Sequence, residues 1–414
     1  MLDLDRALLR GTYAVCVAMM ARIGVPIDMV LLGMLMARWQ DLRERIAARA
    51  AFRYPGVFEG TTLVEEGFRQ LIDRRGYWWP TLPDGGLKLD GETFDEMIDF
   101  YPEFRFLRDT RWMLRQTAKL KIVDYIGVDG RNHVASAPFS AKTGRDGHST
   151  SKSVLAAPTF LRSIIQARPG FALLYADFKA EEYALMARLS KCPGMLAAYD
   201  LAKRGLGDVY FEFAKAARAV LPDALRKDHE EIREIYKTVV LAVAYGQGAL
   251  SLGRRLKTPS DYAQRILDQF NTAYPECRDF GNRVYVTSQM RGRMRAELGW
   301  KMWVTPLTNE ELSIKNWPIQ ACAAEILKVA VVLAFRRGIR LCGALHDAVL
   351  VECREQDVDS TTKQITAVMQ EASANVLGGF ELAVDVKAFA HPDHFHDKRG
   401  VDTWNEIREA LGWT

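Results

Sequence analysis

The segment Leu173-Leu174-Tyr175-Ala176-Asp177-Phe178-Lys179-Ala180-Glu181-Glu182-Tyr183 constrains this chain more than any other stretch. It opens as a short apolar run, reaches a single carboxylate at Asp177, and passes into helical spacing with Leu185, Met186 and Leu189. That change of period predicts a buried strand delivering Asp177 to its end, then a helix that opens with two glutamates. A carboxylate so placed suits a hard cation such as Mg²⁺, which takes oxygen ligands and keeps several waters. An ordinary strand–helix turn has the same local pattern. The functional reading therefore depends on which other segments serve this one.

Composition sets wide bounds. A chain of 414 residues, 49% hydrophobic and 26% charged, has the composition of a soluble protein with material for two or three subdomains. A net charge of +4 permits a nucleic-acid partner without arguing for one, because polyanion binding needs clustered cations. The six cysteines include no C-x-x-C pair, which points to reduced thiols rather than a disulfide framework or a zinc site. The runs 14–21 and 29–37 fall short of the roughly 20 apolar residues a membrane span needs. The N-terminus also lacks the marks of a signal peptide, so a cytoplasmic protein with no membrane partner is expected.

Residues 1–125 read as helical. One helix stops at Gly24-Val25-Pro26, and Asp28 is placed to cap the next. The polar loop from Lys142 to Ser153 interleaves hydroxyl residues with Lys142, Arg145 and Lys152, a mixture suited to phosphate and sugar contacts and equally to a solvated loop. From Leu201 to about Arg293 the pattern is again helical. Within it Arg233, Lys237, Leu241 and Tyr245 recur at steps of four and form one drifting stripe roughly 18 Å long. Cation, cation, apolar group and phenol in that order match a nucleoside triphosphate laid along the helix. A surface helix with one buried edge has the same pattern.

Asn316-Trp317-Pro318-Ile319-Gln320 is expected to open a further helix, with Asn316 either a cap or, with Gln320, a reader of base edges. Two apolar runs then flank His346-Asp347, a hairpin with a second carboxylate at its tip. Two strand-borne aspartates distant in sequence would suit a pair of cations about 3.5–4 Å apart for phosphoryl displacement. The histidines at 391, 394 and 396 do not have zinc-motif spacing and read as a C-terminal loop.

Taken in order, Asp177…Glu182, Arg233-x-x-x-Lys237…Tyr245-Gly246, Asn316…Gln320 and His346-Asp347 resemble the polymerase portion of family A DNA polymerases, most closely a phage-like branch whose last motif reads His-Asp-Ala. The resemblance covers essentially the whole chain. It implies an α+β right-hand fold: a thumb-like helical subdomain at 1–125, a first palm part with the primer–template loop at 126–190, helical fingers at 191–293, and a second palm part with the C-terminal tail at 294–414. The function it implies is template-directed addition of dNTPs to a primer 3′-hydroxyl by two-metal-ion catalysis.

Two Mg²⁺ ions, replaceable by Mn²⁺, would be held by Asp177, Asp347 and the Phe178 carbonyl. Arg233 and Lys237 would bind the triphosphate, with Lys237 a candidate to protonate the leaving pyrophosphate. Leu241 and Tyr245 would meet the sugar and the nascent base pair, and Glu182 would exclude a 2′-hydroxyl. Arg145, Asn316, Gln320 and His346 would hold primer and template. Lys179, Ala180 and Glu181 receive no role.

The chain departs from the bacterial pattern at several positions. Leu241 stands where the bacterial enzymes carry an aromatic residue, Tyr210 near where they carry a histidine, Leu312 where they carry an arginine, and Ala348 where an acid follows the His-Asp pair. The thumb-like region starts almost at Met1, and Asp3 and Asp5 form no exonuclease motif. No proofreading is therefore expected, and a separate exonuclease or processivity factor becomes a possible partner beside DNA and dNTPs. Two alternatives remain open, a single-subunit RNA polymerase-like nucleotidyl transferase and a non-catalytic DNA-binding accessory subunit. Glu182 speaks against the first, and the retained Asp177, Lys237 and Asp347 against the second.

Overall fold

The computed structural model describes residues 4–116, 121–244, 247–308 and 310–413. The chain forms two compact units, one of residues 1–24, 133–148 and 168–391, the other of residues 25–132, 149–167 and 392–414.

In the first unit, four antiparallel strands make one sheet: β1 (Phe171–Phe178), β2 (Leu341–Leu345), β3 (Ala348–Arg354) and β4 (Val384–Ala390), in the order β4-β1-β3-β2. Strand β1 is paired on both edges, and Leu173, Leu174 and Ala176 are fully buried. Burial on both faces explains why it reads as an apolar run rather than an alternation. Helix α1 (Leu4–Ile23) packs on β2 and on α4 (Glu311–Arg336), while α5 (Val358–Leu377) packs on β1, β3, β4 and α4. The helix that follows β1 is α2 (Glu181–Ser190). Helix α3 (Glu230–Ala244) belongs to an all-helical part whose aromatic core sets Phe213 against Tyr236 and Phe270, with centroids 4.8 and 5.2 Å apart.

The helix expected from Asn316 begins earlier, at Glu311, and takes Pro318 into its interior. Proline there removes one backbone hydrogen bond. Burial of Ile314, Trp317, Ile319 and Ala321 holds the turns on either side, so Asn316 caps nothing. By length and composition α4 is the one helix among the described residues apolar enough to cross a membrane, but 78% of that apolar window is buried inside the protein.

In the second unit, the Asp28 side chain caps the helix Met29–Ala37 through the amides of Val30 and Leu31, both at 2.9 Å. Its other oxygen lies 2.9 Å from His394 Nε2, and Arg162 pairs with Asp397 at 2.7 Å. The histidine-rich tail thus has structural partners. Phe68 is the hub of this unit's core, with the rings of Trp79, Phe94 and Phe104 at 4.8, 5.7 and 5.5 Å. Trp79 is buried there, whereas its neighbour Trp78 stays exposed. Truncation at a fully buried aromatic hub forfeits both transfer energy and packing. Phe68→Ala is expected to lower unfolding stability by about 3–5 kcal/mol, read from urea denaturation; an unmoved midpoint would mean the cluster is not a core.

Candidate active site

Strand register brings Asp177 and Asp347 together. The turn His346-Asp347 joins β2 to β3, Asp177 stands opposite Ala348 in the ladder, and the Phe178 amide donates to the Asp347 carbonyl at 3.4 Å. His346, at the tip, holds a φ of 59°. That left-handed geometry costs a non-glycine residue on the order of 1 kcal/mol. On the other edge of β1, Asp177 faces Asp385 of β4.

Burial chiefly, and then the neighbouring Asp347, push the Asp177 pKa from 3.8 up to about 7; Asp385 adds to the rise and Lys387 opposes it. Asp347 is raised by burial too, against the pull of its own backbone amide, Arg145 and His346. Asp177 Oδ1 is buried and has no hydrogen-bond partner among the described residues. Mutually repelling carboxylates with an orphaned oxygen form a hard-donor set that a divalent cation relieves, so the site fits Mg²⁺ or Mn²⁺. Among the described residues, no three His, Cys, Asp or Glu side chains are gathered as ligands. The fit therefore rests on two carboxylates and backbone oxygen.

Glu182, in the first turn of α2, is fixed from α4: Gln320 Nε2 donates to its Oε1 at 2.7 Å. Arg145 Nη2 lies 4.0 Å from the same oxygen. The loop carrying Arg145 is itself anchored on α4. Lys328 Nζ donates to the Gly144 carbonyl at 2.6 Å and lies 3.5 Å from Asp146 Oδ1. Asp146 also accepts from the Tyr13 hydroxyl at 2.6 Å, and the indoles of Trp300 and Trp317 both donate to the Lys142 carbonyl at 3.0 Å. Gly144 has a φ of +78°, and a Cβ there would meet the Trp300 ring at 3.1 Å, so only glycine fits. A cavity of about 30 Å³, large enough for a water molecule, lies between this loop, Lys328 and His346.

The α3 stripe is occupied by protein partners. Arg233 Nε and Nη2 reach Asp208 Oδ2 at 3.1 and 3.0 Å, and Lys237 lies 3.4 Å from Glu234. Asp208 also caps the helix Val209–Ala216. Burial works against the Arg233 charge, but the Asp208 contact outweighs it and raises the guanidinium pKa. Leu241 is half-buried, and Tyr245 lies outside the described residues. On α4, Gln320 is buried and Asn316 Oδ1 is a buried acceptor with no partner among the described residues.

Register and hydrogen bonding thus gather Asp177, Asp347, Glu182, Arg145 and Gln320, while Arg233 and Lys237 make their ion pairs with Asp208 and Glu234. Sequence reasoning missed Asp208, Asp146 and Lys328. A lysine within the apolar run Ala321–Ala334 was the available signal for Lys328, since a buried lysine requires partners.

A four-stranded antiparallel sheet bearing paired carboxylates, beside a helical part, defines the class of fold as the polymerase right hand. Among its solved neighbours is the POL domain of Pol1 from M. smegmatis, in a complex with DNA primer-template and dNTP. The TM-score is 0.74 at 21% identity, over 91% of this chain and 68% of that one. The model of DNA polymerase family A matches residues 148–391, and the chain belongs to that family. DNA polymerase I of Chloroflexus aurantiacus is 26% identical over 376 residues, which cover 84% of this chain and 38% of that protein. DNA polymerase I of Mycobacterium tuberculosis is 24% identical over 359 residues, with coverage of 81% and 39%. The chain thus spans less than two-fifths of the length of these relatives.

Because folding raises the Asp177 pKa from 3.8 to about 7, the folded state binds more protons than the unfolded state between those values. Stability from this group is full below pH 3.8 and is lost as pH rises through about 7. In chelator, the melting temperature of the wild type is expected to fall from pH 5 to pH 7.5 more steeply than that of Asp177→Asn. Parallel profiles would count against the pairing.

Proposed function

We propose that the chain is a template-directed DNA polymerase that adds dNTPs to a primer 3′-hydroxyl by two-metal-ion phosphoryl transfer. The observation that carries this reading is the juxtaposition of Asp177 and Asp347 at neighbouring strand ends in a member of DNA polymerase family A. The two aspartates, with the Phe178 carbonyl, would hold two Mg²⁺ ions or Mn²⁺ in their place. When bound, such ions lower the pKa of an attacking hydroxyl and offset charge on the leaving pyrophosphate.

The other roles belong to the chain's own side chains. Arg233 exchanges Asp208 for triphosphate oxygens, to which its forked donors are equally matched. Lys237, more exposed, binds the same triphosphate and supplies a proton to pyrophosphate. Glu182, held by Gln320, packs under the sugar and excludes a 2′-hydroxyl, which selects dNTP over NTP. Leu241 and Tyr245 line the sugar and the nascent pair, while Arg145, Asn316, Gln320 and His346 hold primer and template. The sheet serves as palm, the helices within 191–293 as fingers, and the helices after Gly24 as thumb. Primer–template DNA and dNTPs are the partners, and the cytoplasm of a bacterial or phage-infected cell is the expected setting. A separate exonuclease or processivity factor is a further partner of this reading.

Primer extension with Mg²⁺ tests the core of this reading. Asp177→Ala and Asp347→Ala are each expected to lose at least about 10³-fold in rate, and extension that survives both substitutions would sink the mechanism. A 3′-mismatched primer should stay intact in the same assay, and NTPs should extend far more slowly than dNTPs. A second expectation concerns Leu241, whose aliphatic side chain meets the sugar differently from an aromatic ring. Leu241→Phe should change dideoxynucleotide incorporation relative to dNTP, and equal chain-termination efficiency in both proteins would refute that placement.

A further inference from the structure

Glu181 is the group the site leaves unexplained. It is the first residue of α2, only 2% exposed, and neither carboxylate oxygen has a hydrogen-bond partner among the described residues. The residue before it, Ala180, takes a left-handed φ of 50°, which turns the chain into the helix. The strongest charge acting on Glu181 is that of Asp347, followed by Arg145, Glu182 and Asp177. It therefore lies within the field of the paired aspartates. Among the described residues neither a donor nor an acceptor is bonded to its buried oxygens. Burying such a group is costly in either form, and among the charges acting most strongly on it Arg145 alone opposes that cost. Ala348, beside Asp347 and opposite Asp177, brings no polar atom to the same place.

We propose that Glu181 is an outer-sphere carboxylate of the cation site, accepting a hydrogen bond from a water molecule carried by the cation at Asp177 and Asp347. Magnesium retains several of its waters when bound to one or two carboxylates, so the donor missing from the protein arrives with the ion. Partners one shell out fix the orientation of what the metal holds and contribute to its affinity. Glu181 is thus a positioning residue rather than a direct ligand. The inference rests on the reading of Asp177 and Asp347 as cation ligands.

The test is Mn²⁺ binding to the DNA-free protein, with free ion counted by electron paramagnetic resonance, for wild type, E181Q, E181L, D385N and D177N. E181Q and E181L are expected to bind about tenfold more weakly than wild type. E181L should also melt higher than wild type in chelator, because it removes an unpartnered buried carboxyl, and should gain less than wild type on addition of Mn²⁺. Wild-type affinity in both Glu181 variants, with D177N impaired, would overturn the proposal while leaving the paired aspartates standing. Loss in D385N with none at position 181 would overturn it in favour of β4. Wild-type affinity in D177N would remove the cation site itself, and the proposal with it.

Discussion

The repulsion between Asp177 and Asp347 is the constraint to which the rest of the first unit answers. Each carboxylate alone would rather face water. The ladder denies them that by fixing Asp177 opposite Ala348 and tying the Phe178 amide to the Asp347 carbonyl. Neither group can move away without breaking strand pairing in the middle of the sheet. Strain in one element is tolerated when its surroundings over-determine it, and the left-handed His346 at the hairpin tip is tolerated on the same terms. Arg145, Lys387 and His346 soften the repulsion but do not cancel it.

Helix α4 is the second organising element, because it carries polar side chains where a core helix ordinarily carries none. Gln320, Glu325 and Lys328 are all buried, and each reaches a different segment. Gln320 holds Glu182, Glu325 accepts the amides of Leu298 and Trp300 at 2.7 and 3.1 Å, and Lys328 holds the Gly144–Asp146 loop. Burial raises the Glu325 pKa and lowers that of Lys328, which is the cost of placing them there. What they secure is one frame for Glu182 and Arg145. Hydrogen bonds from buried polar groups to fixed partners restrict the arrangements open to both segments.

Much of this was legible in the sequence, and the boundary of what was legible is physical. The strand ending at Asp177, the hairpin at His346-Asp347 and the helix from Glu230 all follow from local periodicity, and each formed where that pattern placed it. The start of α4 did not, because proline and asparagine are local stop signals, overridden there by the burial of Ile314 and Trp317. The partners of the site were invisible for a different reason. Asp208 meets Arg233, and Lys328 meets Gly144, across sequence separations that no helical or strand period encodes.

The charge balance around the paired aspartates bears on how a polyanion and a cation would share the site. Asp177, Asp347, Glu181, Glu182 and Asp385 act on one another in one region, where Arg145, Lys387 and His346 oppose them. A phosphate backbone approaching such a surface meets net negative charge, so on the proposed reading its approach and the entry of divalent ions are thermodynamically linked. Each would raise the affinity for the other by the same factor. On the same reading the α3 cations add a second linkage, in which phosphate oxygens would replace the Asp208 carboxylate that Arg233 meets at 3.0 Å. Once released, Asp208 keeps Arg226 at 3.4 Å and the amides of Tyr210 and Phe211. The exchange therefore does not strand a buried charge, and the ion pair seen on α3 is compatible with a site that opens to a triphosphate.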